Sequence, residues 1–354
     1  MKDLPASSPA GSGELLPWHR PVWDAMRSSP SQPQALLITG PEGSGIPLLA
    51  LALVQARLCD HPAIDTGVAC GTCRACDWFV AGHHPDVLRI GNDVALPGEP
   101  EAEGGEGRSK ASEAREESAK SRNIPVGEVR RITNFLHVAS NGAAGRFVIL
   151  SPADGMNTAA ANALLKILEE PPANTTLVLV SSRETRLLPT VRSRCQVIRL
   201  PRPEHDEALR WVTSHSIANP ALALDLAGQA PIAAAALDAD FWAARDRLIG
   251  ALGRKDISGP ALMAIGEALP LPILLPLLHS WVFDCLSVAT TGRVRYHTDQ
   301  VSAVTSAARR QDVDALLAFE QRLRGARRLV DHPLSPKLVA GDLLLAYVAC
   351  EARS

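Results

Sequence analysis

The sequence predicts an α/β protein: a five-stranded parallel sheet on a phosphate-loop scaffold, followed by a region of helices alone. Three observations carry this. Five short β-type runs, ALLIT (35–39), DVLRI (86–90), RFVIL (146–150), TLVLVS (176–181) and QVIRL (196–200), are separated mostly by helical patterns, the layout of a parallel sheet. The first run leads into TGPEGSGIPLLA (39–50), where Gly40 and Gly45 keep the glycine spacing of a GxxxxGK[ST] loop. From Pro203 onward no strand pattern appears, and Ala- and Leu-rich helical patterns run to the end.

In chain order, residues 1–13 form a flexible start, and MKDLPASSPAGSGELLPW lacks the continuous apolar core of a secretory signal. After Gly45, PLLALALVQARLC is apolar enough to be a helix packed on the sheet. Its early proline, Pro47, is tolerated because the first-turn N–H groups have no intrahelical partner. Residues 96–122, with GEPEAEGGEGRSKASEAREESAKSR at their centre, contain no aromatic and no large apolar side chain in that stretch. Such a segment cannot bury enough surface to offset its ordering, so it is expected to be an exposed, disordered insertion. IPVGEVRRITNFLHVAS places Val129, Ile132, Phe135 and Leu136 on one helical face. In NTAAANALLKILEEPP, Asn157 or Thr158 can cap the start of a helix that Pro171 and Pro172 end. The helical remainder divides by size into a small domain, 203–247, and a larger one, 248–354. In the latter, Val313, Leu316, Leu317, Phe319 and Leu323 have heptad-like spacing ahead of a basic end, RGARRLV.

Bulk composition narrows the function. With 46% hydrophobic and 21% charged residues in 354, the chain is globular and long enough for two or three domains. Its net charge of −2 argues against a protein whose own surface supplies most of a nucleic-acid affinity, without excluding a subunit that touches DNA beside more basic partners. The longest apolar run, LPLPILLPLL near 269–278, is shorter than the roughly 20 residues of a membrane span and is expected to be cut by its prolines. No membrane association and a cytoplasmic location are therefore expected.

Four of the seven cysteines, Cys59, Cys70, Cys73 and Cys76, make a Cx10CxxCxxC pattern within a module spanning 59–84. Four thiolates fill a tetrahedral zinc shell and leave no open position, so such a site staples structure and performs no chemistry. An iron–sulfur cluster is the rival, but the further cysteine followed by proline that completes the ferredoxin run is missing. His83 and His84 are alternative ligands that four cysteines make unnecessary. Trp78 and Phe79 are expected to pack the metal loop.

The phosphate loop itself has lost its chemistry. In a working loop a lysine neutralises phosphate charge and a Ser or Thr hydroxyl holds magnesium. Here those positions are Ile46 and Pro47, and proline also deletes one cradling N–H. The acidic pair expected after RFVIL is Ser151-Pro152, and Asp154 in SPADGMN is a loop aspartate near a helix start. No bound nucleotide and no intrinsic hydrolysis are expected.

The block NALLKILEEPPANTTLVLVSS, with LLPTVRSRCQVIRL after it, resembles the AAA+ subunits of the bacterial DNA polymerase III clamp loader. Within that group the chain is similar to the delta-prime family, in which a degenerate nucleotide site is familiar. The resemblance implies an AAA+ α/β domain over 14–202 with the zinc module inserted, a small helical lid over 203–247, and a helical collar over 248–354. It further implies that Ser193-Arg194-Cys195 carries an arginine finger, Arg194, reaching the ATP of a neighbouring subunit; pairing of Arg194 with a local carboxylate is the alternative. Ser182 matches a phosphate-sensing position, and Pro231 stands where active members present a further arginine. The implied setting is a noncatalytic stator in a heteropentamer with gamma/tau motor subunits and a clamp-opening delta subunit, acting on a sliding clamp and primer–template DNA during replication. The rivals are a self-sufficient ATPase and a zinc-dependent nucleic-acid-binding module.

Overall fold

Strands that read as near-continuous apolar runs belong in a sheet whose two faces are both covered by helices. The computed structural model has that arrangement. It describes residues 15–29, 33–91, 94, 124–138, 142–215, 217–255, 258–326 and 336–351. The expected flexible start (1–13) and the insertion (96–122) lie outside the described residues. The chain divides into two compact units, residues 1–207 and 208–354.

In the first unit, β1 (Ala35–Thr39), β2 (Val87–Ile90), β3 (Arg146–Leu150), β4 (Thr175–Ser181) and β5 (Gln196–Arg199) form one sheet in the order β2-β3-β4-β1-β5. All its pairings are parallel. Every residue of β1 and β3 is buried, whereas the edge strands β2 and β5 are partly exposed. Helix α1 (Arg20–Ser28) precedes the sheet, and α2 (Ile46–Leu58) lies against β1, β3 and β4. A short α3 (Arg74–Val80) leads to β2. Helices α4 (Val126–His137) and α5 (Thr158–Glu169) pack on each other and on the sheet. There Val129, Ile132, Leu136, Leu164 and Leu168 share a core with Leu37, Val148, Leu177 and Leu179. The cap of α5 is Asn157, whose Oδ1 accepts the Ala160 N–H at 2.8 Å. That helix ends at Glu169, two residues before Pro171, as its prolines require. A four-residue helix, α6 (Pro189–Arg192), joins β4 to β5.

Register fixes where the strands deliver their ends. Thr39 pairs with Ser181 and Leu150 with Leu179, so the loops after β1, β3 and β4 emerge together at the C-terminal edge. That edge is where ligands sit in open parallel sheets.

The second unit contains α7 (His205–Ser214, which enters it from the first unit), α8 (Pro220–Leu226), α9 (Pro231–Ala235), α10 (Ala239–Leu252) and α11 (Gly259–Glu267). Then follow α12 (Leu271–Thr291), α13 (Val301–Arg310), α14 (Val313–Ala326) and α15 (Pro336–Val348). Here the structure corrects one expectation: the prolines do not cut the apolar run. Pro272 falls in the first turn of α12, and Pro276 sits inside the helix one turn later; both are exposed, so water can satisfy the Pro272 carbonyl that Pro276 cannot serve. The 21-residue α12 is long and apolar enough to cross a membrane by length and composition, but 61% of its most apolar stretch is buried within the protein. Leu274, Leu278, Trp281, Val282 and Cys285 form the centre of this unit's core, and the Trp281 indole donates to the Tyr347 hydroxyl at 2.7 Å. Fully buried Asp284 accepts the N–H groups of Arg295, Tyr296 and His297 at 2.8–3.1 Å, pinning the segment that leads into α13. Of the heptad-like positions, Leu316, Phe319 and Leu323 are buried; Val313 and Leu317 are exposed.

Candidate functional site

Three groups of residues gather on the first unit: the loop after β1, the turn after α6, and the cysteine module.

The loop after β1 keeps its glycines for steric reasons. A Cβ on Gly40 would lie 2.8 Å from the Leu200 carbonyl oxygen, and Gly45, at φ +81°, would place one 2.6 Å from a Leu16 methyl. Gly45 therefore turns the chain from strand to helix in the left-handed region that glycine tolerates. Around it the loop is packed. The Trp18 indole donates to the Ser44 carbonyl at 2.7 Å, and His19 Nε2 lies 3.0 Å from the same oxygen. Leu16, Trp18, His19 and Ser44 are all buried, and Ile46 is 3% exposed. Burial brings His19 down to about 4, so it is neutral near pH 7. Ile46 is thus a packing residue that opens α2, and Pro47 sits in the first turn of that helix.

The position after β3 is filled in a comparable way. Ser151 is fully buried, and the Ser151–Pro152 peptide is cis. Asp154 Oδ1 accepts a hydrogen bond from Ser181 Oγ at 2.7 Å, and Ser181 Oγ accepts the Arg183 N–H at 3.0 Å. The polar residue at the end of β4 that meets the acid is therefore Ser181. Ser182, which matches a phosphate-sensing position by resemblance, is the next residue, just past the end of β4. Glu42, in the loop, lies 3.7 Å from Arg183. Pro231 is the buried first residue of α9, in the second unit.

Ser193, Arg194 and Cys195 follow α6. Ser193 Oγ donates to the Thr190 carbonyl at 3.1 Å. Arg194 donates through one terminal nitrogen to the same carbonyl at 3.0 Å and through the other to Glu169 Oε1 at 2.7 Å. The local carboxylate is thus present, and it comes from the LLKILEEPP stretch. Both side chains are exposed to solvent, 36% for Arg194 and 51% for Glu169, so the pair is worth at most about 1 kcal/mol. An anion of higher charge can outcompete it. Cys195 is half-buried, and burial pushes its thiol up to about 11, which makes it an inert neighbour.

In the cysteine module, the sulfurs of Cys59, Cys70, Cys73 and Cys76 lie within 4.8 Å of one another, and Cys59 Sγ is 3.9 Å from Cys73 Sγ. A tetrahedral zinc with Zn–S near 2.3 Å separates its sulfurs by roughly 3.8 Å, so these four can hold a metal ion. All seven cysteines are free thiols. Backbone donors support the sulfurs: the Cys70 N–H points to Cys59 Sγ at 3.2 Å and the Thr72 N–H to Cys70 Sγ at 3.5 Å. The Thr72 N–H draws the Cys70 thiol down to about 6, whereas burial pushes Cys76 up to about 12 and raises Cys59. Such a set holds four charges only around a cation. His83 and His84 are not in the group; His84 Nδ1 instead accepts the Asp86 N–H at 3.2 Å. The Trp78–Phe79 expectation is half corrected. Phe79 is fully buried, but Trp78 is 37% exposed and covered on one face by the Arg74 guanidinium 4.1 Å from its ring centre, because successive residues of α3 point in different directions.

The loop between Cys59 and Cys70 is tied to α1. Trp23 donates from its indole to the Thr66 carbonyl at 2.8 Å, and Arg27 donates to the Asp65 carbonyl at 2.9 Å. Sequence periodicity missed α1 and its contacts; the tryptophans of PWHRPVWDAMRS were the signal that could have found them.

A family profile described as "DNA polymerase III, delta subunit" matches residues 22–204. The DNA polymerase III subunit delta' of Pseudomonas aeruginosa is 31% identical over 286 residues, covering 78% of this chain and 79% of that protein. The protein of the same name from Escherichia coli K12 is 34% identical over 250 residues, 69% of this chain and 67% of that one. Among solved structures, a DNA polymerase III gamma subunit-related protein from Thermotoga maritima aligns over 94% of this chain and 99% of its own length, with 19% identity and a TM-score of 0.45.

Proposed function

This chain belongs to the DNA polymerase III delta' family, and from that premise we propose that it is the noncatalytic stator of the replicative clamp loader. Its setting is the DNA polymerase III holoenzyme. In the proposed assembly it stands in a heteropentamer with gamma/tau motor subunits and a delta subunit that opens the clamp, and the ring loads a sliding clamp onto primed DNA. The α/β domain (14–202), a lid (203–247) and a collar (248–354) divide the work: the collar holds neighbours, and the α/β domain presents Arg194.

The observation that carries this reading is the contrast between the two opposite edges of one sheet, the loop after β1 at the C-terminal edge and the turn before β5 at the N-terminal edge. The loop after β1 is packed shut by Leu16, Trp18 and His19, with Ile46 buried where a lysine is needed. Arg194 remains accessible to solvent in the turn that follows a short helix anchored in the core by Val191. A guanidinium offered to the γ-phosphate of a neighbour stabilises the charge that develops during transfer. Cys59, Cys70, Cys73 and Cys76 would hold a structural zinc, which fixes the module and supplies no reaction chemistry.

The test is Arg194→Ala in the reconstituted complex, with the other ATP sites inactivated. Folding and assembly stay intact, while clamp- and DNA-stimulated hydrolysis at the completed site falls by roughly 100-fold or more. Unchanged hydrolysis refutes the trans role. Tight, magnesium-dependent binding of an ATP analogue to the isolated chain would instead favour a self-sufficient ATPase.

A further inference from the structure

The guanidinium of Arg194 is held from two directions by two different elements. Thr190, in the first turn of α6, offers its carbonyl at 3.0 Å, and Glu169, the last residue of α5, offers Oε1 at 2.7 Å. Both elements are fixed in the same apolar cluster, where Leu164, Ile167 and Leu168 of α5 meet Leu187 and Val191. Two anchors on rigid supports select one orientation of a long side chain that otherwise samples many rotamers. Each anchor takes a hydrogen on a different terminal nitrogen, so further N–H donors of the guanidinium remain for an incoming anion.

We propose that Glu169 is a positioning residue for Arg194, holding the guanidinium in the orientation in which it meets the neighbouring subunit's γ-phosphate. This rests on the trans reading of Arg194 given above. Transition-state stabilisation depends on donors that are already in place when charge develops. Glu169 itself does not touch the nucleotide. It acts through the acceptor oxygen that fixes one nitrogen of the fork, so its effect falls on the rate of hydrolysis and not on nucleotide affinity. The two stretches that stand out in the sequence, LLKILEEPP and Ser-Arg-Cys, are thereby one device: the first supplies the support and the second the charge.

The experiment uses the whole complex, reconstituted with gamma/tau and delta subunits, the other ATP sites inactivated, and clamp and primed DNA present. Glu169→Ala is expected to lower kcat by about twofold to fivefold, the range an exposed ion pair supplies, with KM for ATP unchanged. Glu169→Gln, which keeps the acceptor oxygen, recovers most of that loss. In the Arg194→Ala background, Glu169→Ala has no further effect, because it acts only through the arginine. Three results overturn the proposal while Arg194→Ala still impairs hydrolysis: wild-type kcat in Glu169→Ala, faster hydrolysis in that variant, or a loss that persists without Arg194. If Arg194→Ala is itself silent, the underlying trans reading fails.

Discussion

Rebuilding the phosphate loop by Ile46→Lys with Pro47→Thr should destabilise the protein without giving it a nucleotide. Ile46 is 3% exposed, so replacing it forfeits about 2 kcal/mol of apolar burial. The new ammonium must then reach for water along its stem or give up its proton. Replacing Pro47 returns about 0.4–1 kcal/mol of conformational freedom to the unfolded chain. The sum, about 3 kcal/mol, corresponds to a fall of roughly 6–12 °C in the midpoint of a unit of this size. Nothing else at the site changes. Asp154 stays bonded to Ser181, Ser151 stays buried, and Leu16 and His19 still cover Gly45. Thermal unfolding with and without Mg-ATP, together with titration of a fluorescent ATP analogue, reads both effects. Ligand at 100 times its Kd raises stability by about 2.7 kcal/mol, a shift too large to miss. A magnesium-dependent rise of the midpoint in the variant would refute the reasoning, since it would show that two side chains alone separate this loop from a working one.

Metal analysis of purified protein should return zinc, with one ion per Cys59–Cys70–Cys73–Cys76 cluster; iron or no metal would remove the assignment. Chelation, or Cys73→Ser, should lower stability by several kcal/mol, against the roughly 10–16 kcal/mol that structural zinc contributes in small zinc-dependent peptides, with new protease cleavage between residues 59 and 73. Acid sensitivity should trace partly to His297, which burial, reinforced by the Arg245 charge, holds down at about 3. The unfolded chain takes up that proton near pH 6.5, so stability falls as pH drops from about 6.5 toward 3, the unfolded state binding more protons throughout. His297→Asn should flatten the dependence of denaturant-derived stability on pH between 6.5 and 4; an unaltered slope would mean that the ring is not buried neutral.

Most of the sheet was legible because a parallel sheet covered on both faces writes itself as near-continuous apolar runs. ALLIT and RFVIL match β1 and β3 to the residue, and β2, β4 and β5 differ by a single position at an end. The cysteine cluster was equally legible: the spacing named four residues, and folding brings their sulfurs together. What stayed hidden depends on contacts between distant stretches. No periodicity links Glu169 to Arg194, 25 positions away, or Trp18 to the carbonyl of Ser44. The short helices α3 and α6 are too brief for a 3.6-residue pattern to emerge. In α12, Pro272 and Pro276 suggested a break, yet both fall on the exposed face, where the lost hydrogen bond is inexpensive.

The segment Leu16–Arg27 touches both loops that distinguish this protein. One indole caps the carbonyl of Ser44, and another indole, with a guanidinium, seats the loop that leads to Cys70. A tug applied at the chain's beginning would therefore unfasten the emptied phosphate loop and the metal loop in a single event. For anyone cutting this protein into pieces, β1 is the wrong place to start: a fragment lacking the first helix would lose the clasp on two sites at once, and its failure to fold would say nothing about either.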